Sequence, residues 1–162
     1  MMKLIGICGY SGSGKTTLLK KLIVLLKSYN ISLAVIKHSH HDMDIDTPGK
    51  DSYELRKSGA EQIIVACDNR WALIDETPSN KIDLADLANK FDTVDLVLVE
   101  GFKDEKMAKI VCYREANYKP LFYDEYTIAI ATDHVLDINI KQLDINNALS
   151  IANFIKDNLT DK

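Results

Sequence analysis

The octapeptide Gly9-Tyr10-Ser11-Gly12-Ser13-Gly14-Lys15-Thr16 constrains this chain more than any other feature. It stands between the apolar run Leu4 to Cys8 and a stretch in which Leu18, Leu19, Leu22, Ile23, Leu25 and Leu26 recur at helical spacing. The octapeptide matches G-x-x-x-x-G-K-[ST]. Its glycines admit backbone angles that turn successive N–H groups inward, so main-chain donors can wrap a phosphate chain at a helix N-terminus, where the macrodipole also favours an anion. Lys15 is then expected to reach the β and γ phosphates and the Thr16 hydroxyl to serve Mg²⁺. The whole loop, Gly9 and Ser11 included, is assigned to a nucleoside triphosphate.

The remaining segments continue the alternation of strand and helix. Ser32 to Ile36 and Gln62 to Cys67 read as strands, with a polar loop from Ser39 to Lys50 and a short helix from Asp51 to Lys57 between them. Asp51 and Glu54 fit a capping box and Gly59 a stop. Asn69-Arg70 turns the chain into Trp71 to Ile74, an antiparallel partner of the preceding strand, with Trp71 expected to pack that pair. A helix over Ile82 to Phe91, strands at Val94 to Val99, Lys109 to Tyr113 and Thr127 to Ala131, and a final helix complete the order. On that last helix Ile145, Ala148, Leu149, Ala152, Ile155 and Leu159 share a face.

This pattern predicts an α/β, three-layer phosphate-loop NTPase fold, with a mostly parallel sheet, some antiparallel strands and helices on both faces. Residues 1–162 are read as a single nucleotide-binding domain, since no linker or repeat divides them. In such sheets ligands lie beyond the carboxyl ends of the strands. Glu100 directly follows the buried-looking strand and is the candidate acid for a magnesium ion or its water, the position of a Walker-B carboxylate. After the second strand, Lys37-His38-Ser39-His40-His41-Asp42-Met43-Asp44-Ile45-Asp46 lies where switch segments sense a γ-phosphate. Asp42, Asp44 and Asp46 are candidate ligands for the ion, and Lys50 a candidate anion contact at the next helix. Zinc is set aside for the histidines, because no cysteine or H-x₃₋₅-H spacing accompanies them.

Composition narrows the partners. The formal net charge is −4, so no global positive field exists to hold a nucleic-acid backbone. The apolar start is too short for a secretory signal and no run approaches a membrane span. Cys8, Cys67 and Cys112 form no C-x-x-C pair and read as reduced, which suits a cytoplasm.

Together the phosphate loop, Val35-Ile36-Lys37-His38 with His40-His41-Asp42 and Asp44-Ile45-Asp46, Pro48-Gly49-Lys50-Asp51-Ser52, and Leu98-Val99-Glu100-Gly101-Phe102 resemble one family. It is that of the GTP-binding adapter proteins of molybdopterin-guanine dinucleotide biosynthesis, and the resemblance runs from Lys3 to about Asp133. It implies GTP and Mg²⁺ as ligands, slow or negligible hydrolysis, and assistance to the guanylyltransferase that attaches GMP to molybdopterin, with molybdopterin itself a further possible contact. It also implies a homodimer with sheets joined between subunits, and phosphate contacts at Gly12, Ser13, Gly14, Lys15, Thr16 and Thr17.

The [NT]-K-x-D motif that usually selects guanine is absent; Asp133, in Ala131-Thr132-Asp133, is the nearest substitute, able to accept from guanine N1–H and the 2-amino group. Two other readings compete: a small-molecule kinase using ATP, and a GTPase switch needing an external activator. The chain has only Arg56, Arg70 and Arg114, unclustered, where such kinases carry lid arginines.

Overall fold

The computed structural model describes residues 2–39, 44–76 and 82–160. They group into two compact units: one runs to His38 and resumes at Leu84, and the other is Ser39–Asp83.

The first unit is built on β1 (Lys3–Cys8), α1 (Lys15–Ser28) and β2 (Leu33–Lys37), resuming with α3 (Leu84–Ala88), β5 (Leu96–Glu100), β6 (Lys109–Tyr113), β7 (Thr127–Thr132), β8 (Gln142–Asp144) and α4 (Ala148–Thr160). Its six strands form one sheet in the order β2-β5-β1-β6-β7-β8, every pair parallel. Side chains of successive strand residues point to opposite faces, and both faces are apolar because both are covered. Ile5, Ile7, Leu96, Leu98, Ile110 and Ala129 pack under α1 and α4. Ile36, Val97 and Val99 pack with Leu84 and Ala88 of α3. Cys8, Val111 and Ile130 lie beneath Leu121, Phe122, Leu136 and Ile138. This is the expected three-layer architecture. β1 is central, and the chain leaves it toward β2 on one side while β6 to β8 lie on the other. The loop after β1 thus opens at the switch point of the sheet.

Several expectations need correction. β8 is a strand the sequence pattern missed; its few pairings to β7 hold it in place. The last helix begins at Ala148, so buried Ile145 precedes it, and Leu149 is exposed whereas Ile151 is fully buried. The third helix spans only Leu84–Ala88. Lys109, which apolar patterning would place outside the core, is buried at the start of β6. Its ammonium donates to the Lys103 carbonyl and pairs with Asp124 at 2.8 Å. Burial alone would raise the Asp124 carboxyl, but bonds from Lys109 and Thr127 outweigh it and hold the group below its ordinary value. Cys8 and Cys112 are free and buried, and burial lifts their thiols to about 11 and about 12, so they behave as small hydrophobes.

The second unit holds α2 (Asp51–Lys57) and the antiparallel ribbon of β3 (Gln62–Cys67) and β4 (Arg70–Asp75). The N-cap of α2 is Lys50, in extended conformation and with no side-chain cap bond, so the capping box does not form. Asp51 and Glu54 instead fall in the first turn, where the helix dipole favours acids. Gly59 follows as expected, at φ +110°, with its N–H bonded to the Arg56 carbonyl. Trp71 does not pack the pair; it is 69% exposed. No described residue of this unit is buried.

Candidate functional site

The carboxyl ends of β1, β2 and β5 meet at the phosphate loop. At Gly9 a Cβ would come within 2.5 Å of the Cys112 carbonyl, at φ +143°, so only glycine lets the loop cross β6 this closely. Behind it α1 starts from Gly14 in the left-handed region, with no side-chain cap and no acid in its first turn. The first N–H groups of a helix lack intrahelical partners, and here no side chain caps them and the first turn carries no acid. The Ser13 hydroxyl is buried in the loop with no hydrogen-bond partner among the described residues. Lys15 lies back along the loop, its Nζ donating to the carbonyls of Gly9 and Tyr10 at 2.8 Å each. The loop's own carbonyls thus hold the ammonium beside the cradle.

Register brings the acid to this point. Glu100 stands opposite Ile7 in β1 and opposite Lys37 in β2. Its carboxylate is largely buried, accepts from Thr16 Oγ1 at 3.2 Å and pairs with Lys37 Nζ at 2.9 Å through the same oxygen. Ser11, Gly12, Gly14, Lys15, Thr16, Thr17, Lys37 and Glu100 line one open cavity of about 450 Å³. The donor set where Thr16 meets Glu100 is all oxygen, which suits a hard cation such as Mg²⁺. Lys37 already supplies a positive charge to that acid, so the residues fit an ion there. Lys37 carries a role that the sequence reading did not give it; the K-H segment after β2 was the available signal.

The loop carboxylates are differently engaged. Asp42, with His40 and His41, lies outside the described residues. Asp46, in the second unit, accepts from Arg56 Nη2 at 2.6 Å and Nε at 3.4 Å, and the same arginine reaches Asp44 at 3.1 Å and Glu76 at 2.6 Å. The Arg56 guanidinium holds the Asp46 carboxyl below its ordinary value, and the three acids push Arg56 above its own. A metal at Asp46 would have to displace this arginine. Lys50 is exposed at the start of α2.

Asp133 ends β7. Burial would raise its carboxyl, but bonds from His134, the Glu115 N–H and Arg114 keep it below the ordinary range. A separate cleft of about 410 Å³, lined by Lys3, Tyr29, Asp95 and Lys156, opens at the amino end of β1, away from this chemistry. Among the described residues no helix is long and apolar enough to cross a membrane.

A parallel sheet with a glycine-rich phosphate loop after its central strand, a lysine and threonine opening the next helix, and an acid ending the adjacent strand define a P-loop nucleotide-binding protein. Residues 4–133 match the family model of MobB, the molybdopterin guanine dinucleotide synthesis protein B. The molybdopterin-guanine dinucleotide biosynthesis adapter protein of Escherichia coli (strain K12) is 52% identical over 161 residues, covering 96% of this chain and 92% of that protein. Its namesake in Haemophilus influenzae is 51% identical over 156 residues, covering 94% of this chain and 87% of that one. A crystal structure of molybdopterin-guanine biosynthesis protein B superposes with a TM-score of 0.75 at 25% identity, over 95% of this chain and 98% of that chain. The chain belongs to the MobB family of molybdopterin-guanine dinucleotide biosynthesis adapter proteins.

Proposed function

We propose that this chain binds GTP with Mg²⁺ at the phosphate loop and, in that state, assists the guanylyltransferase that attaches GMP to molybdopterin, a second possible contact. The convergence of Lys15, Thr16, Lys37 and Glu100 on one cavity at the uncapped start of α1 carries this reading. Main-chain N–H groups from Gly9, Ser11 and Gly12 through Thr17 would wrap the phosphates. Lys15 would exchange its loop carbonyls for β- and γ-phosphate oxygens, and Lys37, freed from Glu100, would add a second positive charge. Thr16 and Glu100 would hold the ion directly or through water. When bound, Mg²⁺ would supply neutralisation of the phosphate charge.

Kinase chemistry is not favoured. Arg56 is tied to three carboxylates and Arg114 is anchored by Asp133 and Asn146, so neither is poised to swing as a lid cation onto a γ-phosphate. The two glutamines of the chain, Gln62 and Gln142, bond Asp75 and Leu136, and slow intrinsic hydrolysis is expected on that ground. Free, unpaired cysteines support a cytoplasmic setting, and the net negative charge argues against nucleic acid.

The ribbon supports a homodimer. Cross-strand partners share a face, which puts Ile64 and Leu73 beside Ala66 and Trp71. Ile64 is 64% and Trp71 69% exposed, a patch of the kind that a second copy covers.

Calorimetric titration with GTP and ATP in Mg²⁺, with phosphate release followed in the same samples, tests the nucleotide reading. The wild type should prefer GTP and release almost no phosphate. Lys15→Ala should weaken GTP by about 100-fold or more, the loss of strong charge-assisted bonds, with the fold unchanged by circular dichroism. A folded Lys15→Ala protein that binds GTP as tightly as the wild type would falsify the assignment.

A further inference from the structure

Beside the phosphate loop lies a second recess, of about 160 Å³, lined by Gly14, Thr17, Leu18, Lys21, Arg114, Ile145 and Asn146. It shares Gly14 and Thr17 with the phosphate cavity, so the two adjoin at the start of α1. The recess is too small for a nucleotide but adjoins a cavity within the usual range for a ligand site. Its lining includes residues that follow two strands, Arg114 after β6 and Ile145 and Asn146 after β8, while Asp133, which follows β7, holds Arg114 from outside the lining. In a parallel sheet ligands lie beyond the carboxyl ends of the strands, so the loops after β6 and β8 offer a place for the nucleoside half of a nucleotide whose phosphates sit on the loop.

Arg114 dominates the recess chemically. Its Nη2 donates to Asn146 Oδ1 at 3.0 Å and its Nη1 to Asp133 Oδ2 at 3.3 Å. The other Asp133 oxygen accepts from the Glu115 N–H and pairs with His134 Nδ1 at 3.1 Å. The Asn146 N–H in turn donates to Asp144. Both partners of the arginine are therefore themselves anchored. A guanidinium has five N–H donors, and two bonds among the described residues leave donors over. Arg114 Nε lies 3.4 Å from the place a Cβ on Gly14 would take, at φ +89°, so glycine there lets the arginine stand against the phosphate loop.

Resting on the nucleotide reading above, we infer that Arg114 selects the base: its guanidinium, aimed by Asn146 and Asp133, donates to O6 and N7 of guanine in this recess. Guanine offers two acceptors on that edge, whereas adenine replaces O6 with an N–H₂ donor, which opposes a guanidinium. Asp133 then acts as a positioning residue: its carboxylate is committed to Arg114, Glu115 and His134 rather than to the base.

Four probes separate this from its competitors: GTP, ATP, ITP and inorganic tripolyphosphate, titrated into wild type, Arg114→Gln, Asp133→Asn and Lys15→Ala. ITP keeps O6 and N7 but lacks the 2-amino group, and tripolyphosphate has no base. Arg114→Gln should weaken GTP and ITP by about tenfold and leave ATP and tripolyphosphate unchanged. Asp133→Asn should cause a smaller loss of the same kind, since the arginine is loosened but present. Wild type should bind ITP within a few-fold of GTP.

A GTP preference that survives Arg114→Gln, or ITP falling to the level of ATP in the wild type, overturns the assignment. The second result would move recognition to the 2-amino group and hence to a carboxylate. Tripolyphosphate binding that ignores Lys15→Ala would instead overturn the phosphate-loop reading itself.

Discussion

The two units of this chain are held by opposite means. In the first, the large fully buried side chains include Ile7, Leu22, Leu26, Leu96, Leu98, Ile110, Ile130, Ile151 and Ile155, beside Lys109, and the sheet carries its ligand groups only where strands end. In the second, no described residue is buried as a whole, and charged side chains are among those closed to solvent: Arg56 at 8% and Asp46 at 7%, with Asp44 and Glu76 on the same guanidinium. Its large apolar side chains, Ile64, Val65, Trp71 and Leu73, face outward. A unit of about 45 residues encloses too little volume for a core of its own. It organises itself by a β-ladder and an arginine that ties loop, helix and ribbon end together.

Truncation should expose this contrast most strongly. Leu98→Ala, at a fully buried position, should cost about 2–5 kcal/mol in denaturant unfolding, by lost transfer energy and the cavity left behind. Ile64→Ala, 64% exposed, should stay within about 0.5 kcal/mol in the monomer. Equal losses would mean that the ribbon has a core after all.

Charging the ribbon should act on assembly rather than on folding. Trp71→Asp should shift the sedimentation profile from dimer to monomer and leave GTP affinity within a few-fold of wild type, because the nucleotide cavity is lined by first-unit residues. A Trp71→Asp protein that stays dimeric would relocate the interface.

The smallest effect is a titration. The Asp46 carboxyl is held down by Arg56, so its contribution is complete above the ordinary aspartate value near 4 and fades as the pH falls through the lower folded value. Carboxyl NMR should show Asp46 titrating below an unpaired aspartate. Arg56→Gln should return it toward the ordinary value and loosen hydrogen-exchange protection in the second unit only. An unchanged Asp46 titration in that variant would show that the arginine does not organise the unit.

Legibility in the sequence follows the same division. The phosphate loop is a contiguous pattern with a mechanism at each position, so Lys15 and Thr16 could be named from residues alone. β5 and β6 could be named because strands buried on both faces read as unbroken apolar runs. Glu100 was visible for the same reason, as the first charge after such a run. The loop acids were visible as residues but not as partners. Asp46 sits ten positions from Arg56 and Glu76 twenty beyond it, and nothing local marks them for one guanidinium. Trp71 was misjudged because an aromatic in a strand packs inward only if its own chain supplies the other side.

The sequence by itself determined that a parallel sheet carries a phosphate loop after its first strand, and that an acid ends a buried strand. Those statements rest on interactions between residues close in the chain, where pattern and chemistry coincide. Only the tertiary structure decided that Lys37 meets Glu100, through the register of β2 on β5, and that Arg114 stands between Asp133 and Asn146. These groups come from segments up to 63 residues apart, Lys37 to Glu100. Only strand order and register, set by the burial of whole faces, bring such segments to one edge of the sheet.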